Sequence, residues 1–192
     1  MYVCGSGKFT SARPGDAMLV KYRSDGKRLW VRWAAGNAGS HDAWTDVAAD
    51  GKGRAHVTGY HDRKGTGDDI VTRMYTTGGR LAWQAGFSST GRRADVGTAV
   101  AVDANANTYV CGFRTKFAGD SDVVAIKYGV KGTTQWSTIY PDALAYPGEL
   151  DAGDDWAADI AVAGGLVYVA GSQARDHGGV VDGDFLTLAI RR

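Results

Sequence analysis

Apolar residues in this chain are grouped in short alternating runs, and no window holds the i, i+3, i+4, i+7 spacing of an amphipathic helix. Runs such as Ala17 to Tyr22 and Val123 to Tyr128 are rich in β-branched and aromatic residues, and turn-forming glycine, aspartate or asparagine separates them from their neighbours. The pattern predicts an all-β protein.

The runs recur at a fixed interval. Trp30, Trp83 and Trp136 are 53 residues apart, as are Tyr22, Tyr75 and Tyr128, and the turn glycines Gly26, Gly79 and Gly132. The tetrapeptides YVCG, HVTG, YVCG and YVAG place Gly5, Gly59, Gly112 and Gly171 in register, with an insertion lengthening the last interval. Asp16, Asp69, Asp122 and Asp184 follow the same rule. A fixed period of this length is the signature of a repeat architecture.

Turn signals divide each unit into four strands, a to d. Strand a is a small-residue run, at Thr45 to Asp50, Thr98 to Asp103 and Asp159 to Ala163. Strand b is the YVxG element, strand c follows the repeated aspartate, and strand d carries the tryptophan after a Gly-centred hairpin. Small residues in strand a suit crowding near an axis, with Trp and Tyr in later strands. This gradation predicts a β-propeller of four-stranded antiparallel blades rather than a solenoid or sandwich. The units are 1–44 (strands b to d), 45–97, 98–156 and 157–192 (strands a to c), forming one incomplete ring.

Composition adds limits. The chain has 28 glycines, 3 prolines and a single glutamate, Glu149, a turn-rich and helix-poor vocabulary. A net charge of +1 with interspersed signs offers no field to attract nucleic acid, and no apolar stretch is long enough to span a bilayer as a helix. The N-terminus lacks the layout of a signal peptide. Neither nucleic acid nor membrane is expected as a partner.

The motifs D-A-N-A-N-T-Y-V-C-G (Asp103 to Gly112), G-D-S-D-V-V-A-I-K-Y (Gly119 to Tyr128) and G-T-T-Q-W (Gly132 to Trp136) resemble the bacterial SBBP repeats of seven-bladed β-propellers. The first unit matches through G-D-A-M-L-V-K-Y and G-K-R-L-W, and the second departs at His56 and Met74. The resemblance implies a propeller scaffold or binding module of a secreted or surface bacterial protein, without shared catalytic residues.

The strand order bcd, abcd, abcd, abc leaves overlapping rather than complementary ends. The final strand, FLTLAI, is then a hydrophobic edge that needs covering. The expected partner is a second copy of the chain, giving a homo-oligomeric ring, or the remainder of a longer propeller.

Candidate chemistry is sparse. Asp16, Asp69, Asp122 and Asp184 are distributed one per unit and are expected to accept hydrogen bonds from nearby turn amides. Asp151, Asp154 and Asp155 cluster in the insertion and are the candidates for calcium, which takes about six to eight oxygen ligands. His41, His56, His61 and His177 have no metal-ligand spacing, and His56 stands where the other units have tyrosine. Cys4 and Cys111 occupy equivalent positions in non-adjacent units, too far apart for a disulfide, and are expected to pack as small apolar side chains. No G-x-S-x-G elbow is present. The hairpin Asp25 to Trp30 is similar to a turn of quinoprotein dehydrogenase propellers, but only over that turn. Trp33, Trp44 and Trp156 fall outside the periodic set, and either line a carbohydrate- or protein-binding surface or join the core. The expected function is therefore a non-catalytic scaffold or binding module with no cofactor. It would present the connections Ile139 to Trp156 and Ser172 to Asp182 to a protein or glycan. The alternative is an enzyme, hydrolase or quinoprotein-like, with its site at the propeller axis.

Overall fold

A computed structural model describes residues 1–8, 15–36, 41–90, 93–116, 120–140, 153–176 and 181–191. The described residues form strands without a helix, as the alternation predicts. The first sheet contains β1 (Tyr2–Gly7), β2 (Asp16–Tyr22) and β3 (Arg28–Ala34). The second contains β4 (Ala43–Ala49), β5 (Ala55–Arg63), β6 (Gly67–Tyr75) and β7 (Leu81–Phe87). The third contains β8 (Asp95–Val102), β9 (Thr108–Thr115), β10 (Ser121–Tyr128) and β11 (Thr134–Tyr140). The fourth contains β12 (Trp156–Ala163), β13 (Leu166–Asp176) and β14 (Val181–Arg191). Each is an antiparallel meander in chain order.

Two devices repeat inside the sheets. The hairpins before β3, β7 and β11 close with Gly26, Gly79 and Gly132 at φ near +80°, in the left-handed region that glycine enters without a Cβ penalty. A bulge then leaves Leu29, Ala82 and Gln135 unpaired, so that Trp30 faces Lys21, Trp83 faces Met74 and Trp136 faces Lys127. Because side chains alternate along a strand, this extra residue turns each tryptophan onto the face that meets the next sheet. Trp83 accordingly lies against Gly132, and Trp30 against Gly79.

The second device lies in β4, β8 and β12, termed inner strands here because they pack against one another from sheet to sheet. β4, β8 and β12 begin earlier than the small-residue run suggests, at Ala43, Asp95 and Trp156. Each carries a bulge, which leaves Thr45, Thr98 and Ala158 unpaired. Opposite the bulges stand Gly59, Gly112 and Gly171. A Cβ on any of them would lie 2.0 Å from a carbonyl oxygen of the adjacent strand, at Ala43, Val96 or Trp156 respectively. Only glycine admits this approach. Gly5, the counterpart in β1, has no described atom within 4 Å of its Cβ position.

Three apolar layers hold the sheets together. Leu19, Trp44, Val57 and Tyr75 lie between the first and second sheets, and Ile70, Met74, Trp83, Val110 and Tyr128 between the second and third. Tyr109, Val123, Ile160, Val169 and Leu188 lie between the third and fourth. Polar bridges cross the same seams: Thr45 Oγ1 donates to the Gly97 carbonyl at 2.5 Å, and Thr98 Oγ1 to that of Ala157 at 2.6 Å. Asp46 Oδ2 accepts from the Val100 amide at 2.8 Å.

Gly112→Ala is expected to destabilise the protein by about 3 kcal/mol through forced overpacking against the Val96 carbonyl, measurable by urea unfolding. Ala106 is a non-glycine residue at positive φ (63°), in the turn where the second sheet has Gly53. Ala106→Gly is expected to stabilise the chain by up to about 1 kcal/mol in the same assay.

Candidate functional site

The repeat gathers polar side chains at two ends and along the inner strands. At one end, the turns joining β4 to β5 and β8 to β9 are organised by Asp50 and Asp103. Asp50 accepts the Lys52 and Arg54 amides and the Arg54 guanidinium, and Asp103 accepts the Asn105 and Asn107 amides, the Asn107 side chain and the Tyr109 hydroxyl. Burial pushes both carboxyls up, but these donors outweigh it and hold them below the usual carboxylate range. His56 stands at the Tyr109 position and repeats its function. Its Nε2 lies 3.4 Å from Asp50 Oδ2, and its Nδ1 lies 2.7 Å from Thr108 Oγ1 in the next sheet. An open groove of about 660 Å³ runs between the two turns, lined by Lys52, Arg54, Asn105 and Val130 among others.

At the other end, Asp42, Asp95 and Asp155 form a buried periodic set. Asp42 accepts the Gly36 and Asp62 amides, Asp95 the Ser89 amide and hydroxyl, and Asp155 the Ala174 amide. Burial raises the pKa of Asp42 and Asp95 despite these bonds. Each pins the connection entering an inner strand. The signal was available in sequence, since Asp42 and Asp95 are 53 residues apart, but the insertion stretches the next interval to 60 residues and removes Asp155 from register.

Two of the three calcium candidates, Asp154 and Asp155, lie among the described residues. Asp155 is buried and bonded to Ala174, Asp154 is exposed, and Asp151 lies outside the described residues. No group of three potential metal ligands occurs among the described residues. The repeated strand-c aspartates bond to side chains rather than to turn amides where their partners are resolved. Asp122 pairs with Arg114 at 2.9 Å and Lys116 at 3.2 Å, while Asp69 accepts from the Thr66 hydroxyl at 2.9 Å and lies 3.5 Å from Arg63. Asp16 is buried and Asp184 half-buried.

The three tryptophans outside the periodic set separate. Trp44 is 2% exposed, packed against His61 with the Arg73 guanidinium over its ring, so it serves the core. Trp33 is half-buried, lying over Gly7 of β1. Trp156 is 50% exposed at the start of β12. His41 is exposed, with Nδ1 3.4 Å from the Gly15 amide, and His177 lies outside the described residues. Both cysteines are free thiols; burial pushes Cys4 up to about 11 and Cys111 up to about 12, so neither is a thiolate at neutral pH.

Comparison with known proteins yields no matching family model and no matching curated protein.

Burial, reinforced by Arg73 and Arg63, lowers the His61 pKa to about 4, and burial lowers that of His56 as well. Both rings are neutral when folded, so their stability contribution is whole above about pH 6.5 and is lost as pH falls toward the folded values. At pH 5 the loss from His61 alone is about 2 kcal/mol. Urea unfolding at pH 7 and pH 5 checks this: His61→Phe, which keeps the contact with Trp44, is expected to reduce the acid loss by that amount.

Proposed function

We propose that the four sheets are successive blades of a β-propeller, related to the SBBP type, and that the chain is a non-catalytic module binding a protein or glycan. The fold reading is supported by the repetition of one interface: each periodic tryptophan faces forward from an outer strand, and the bulge threonines bridge forward from inner strands. The outward faces of the terminal sheets are positions for neighbouring blades, contributed by another chain or by further repeats. Phe185 is 81% exposed, whereas its counterparts Ala17, Ile70 and Val123 are fully buried. Val3 is 43% exposed, whereas Val57, Val110 and Val169 are fully buried.

The observation that carries the binding reading is Trp156. It stands at the end of the sheets that gathers the longer connections, with half its surface open beside exposed Asp154. An indole face supplies contact area at low conformational cost, and a neighbouring carboxylate supplies directional hydrogen bonding. Selection on a glycan array and a displayed-peptide library, run in parallel with the wild type and Trp156→Ala, tests this. The expected outcome is a ligand whose affinity falls about tenfold in the variant, or about 1.4 kcal/mol, with an unchanged unfolding midpoint. Selection of no ligand, or only of ligands indifferent to Trp156, overturns it.

A further inference from the structure

β1 is an edge strand whose sequence is built for a neighbour. In the other three sheets, the strand-b glycine is required because the bulged inner strand brings a carbonyl oxygen 2.0 Å from where a Cβ would sit. Gly5 holds the same register position, between Cys4 and Ser6, yet no described atom lies within 4 Å of its Cβ position. A glycine in an open edge strand costs backbone entropy and contributes no packing, so its placement there calls for a close approach. Val3, two residues away, repeats the valine that is fully buried in β5, β9 and β13 but is itself exposed.

We propose that the free edge of β1 is an acceptor for one extended strand of the β4, β8 and β12 type, paired antiparallel. The register follows from the existing pairs. Gly97 faces Gly112, Thr98 is unpaired, Ala99 faces Cys111, Val100 faces Val110 and Ala101 faces Tyr109. On β1 the incoming strand places one residue opposite Gly5, where the existing sheets have Trp44, Gly97 and Ala157, then one bulged residue, and then three residues opposite Cys4, Val3 and Tyr2. A threonine at the bulge fits best. Thr45 and Thr98 donate forward to the carbonyls of Gly97 and Ala157, and the corresponding carbonyl ahead of β1 is that of Trp44. The partner is thus a small-residue β-strand with threonine at its bulge, recognised by backbone pairing and by exclusion of any Cβ at position 5.

The test supplies that strand in trans. A peptide of the sequence Asp95–Asp103 is titrated into the intact chain, and binding is followed by calorimetry and by amide chemical shifts of β1. The wild type is expected to bind, with shifts concentrated on Tyr2 to Gly7. Gly5→Val, which meets open space in the free chain, is expected to keep the unfolding midpoint while losing at least about tenfold in affinity. Changing the peptide's threonine to alanine is expected to weaken binding about fivefold through loss of one hydrogen bond. Absence of binding to the wild type at millimolar peptide, or equal binding by Gly5→Val, overturns the proposal. The inference does not rest on the ligand reading: Trp156 lies in the fourth sheet, and Trp156→Ala is expected to leave the peptide affinity unchanged, so the two can fail separately.

Discussion

The structure depends on the approach of each bulged inner strand to a glycine of its neighbour. Gly59, Gly112 and Gly171 lack the Cβ that would strike a carbonyl at 2.0 Å, and this lets the inner strand sit close while accommodating one residue too many. That residue has lost its ladder position, so its side chain is free to act across the seam. In two of three cases it is a threonine, whose hydroxyl reaches the carbonyl of the next sheet. The bulge thereby turns a local irregularity into the polar lock between sheets, while the outer-strand bulges direct Trp30, Trp83 and Trp136 into the apolar lock.

Charge is used with the same economy. Asp50 and Asp103 gather several donors each and stay ionised, whereas Asp42 and Asp95 are bonded more sparingly in a drier setting and rise. Asp69 and Asp122 serve as anchors for cationic side chains at the opposite end of their strands from the hairpin glycines. The exchange of tyrosine for His56 keeps a hydrogen bond to the turn aspartate and adds one to Thr108, while burial lowers the pKa of the ring. Most of the aspartates and the buried histidines are thus absorbed by the architecture. What the architecture leaves over is concentrated in the terminal sheets, at Trp156, Phe185 and the edge of β1.

Much of this was legible before the structure. The 53-residue spacing of Trp, Tyr and Gly landmarks marks the strands and their order, because alternation and turn chemistry are local properties. The candidate chemistry was less legible. Asp155 stands close to Asp151 and Asp154 along the chain, and that spacing says nothing of what its own carboxylate bonds to. In the structure it turns inward to the Ala174 amide, as the third member of a set beginning with Asp42. Trp44 and Trp156 were equivalent on paper, both near the start of an inner strand and both outside the periodic set. Trp44 is covered by His61 and Arg73, while Trp156 is left half open.

By itself, then, the sequence determined the strand content, the antiparallel order within each unit and the number of units, because these follow from periodicity and turn residues. Only the tertiary structure decided where the bulges fall, which aspartates are buried, which tryptophan meets solvent and why Gly5 differs from its three counterparts. Those properties belong to the seams between sheets. A bulge depends on the distance to a neighbouring backbone, and burial depends on what lies across a gap, so neither is encoded in the alternation of a single strand.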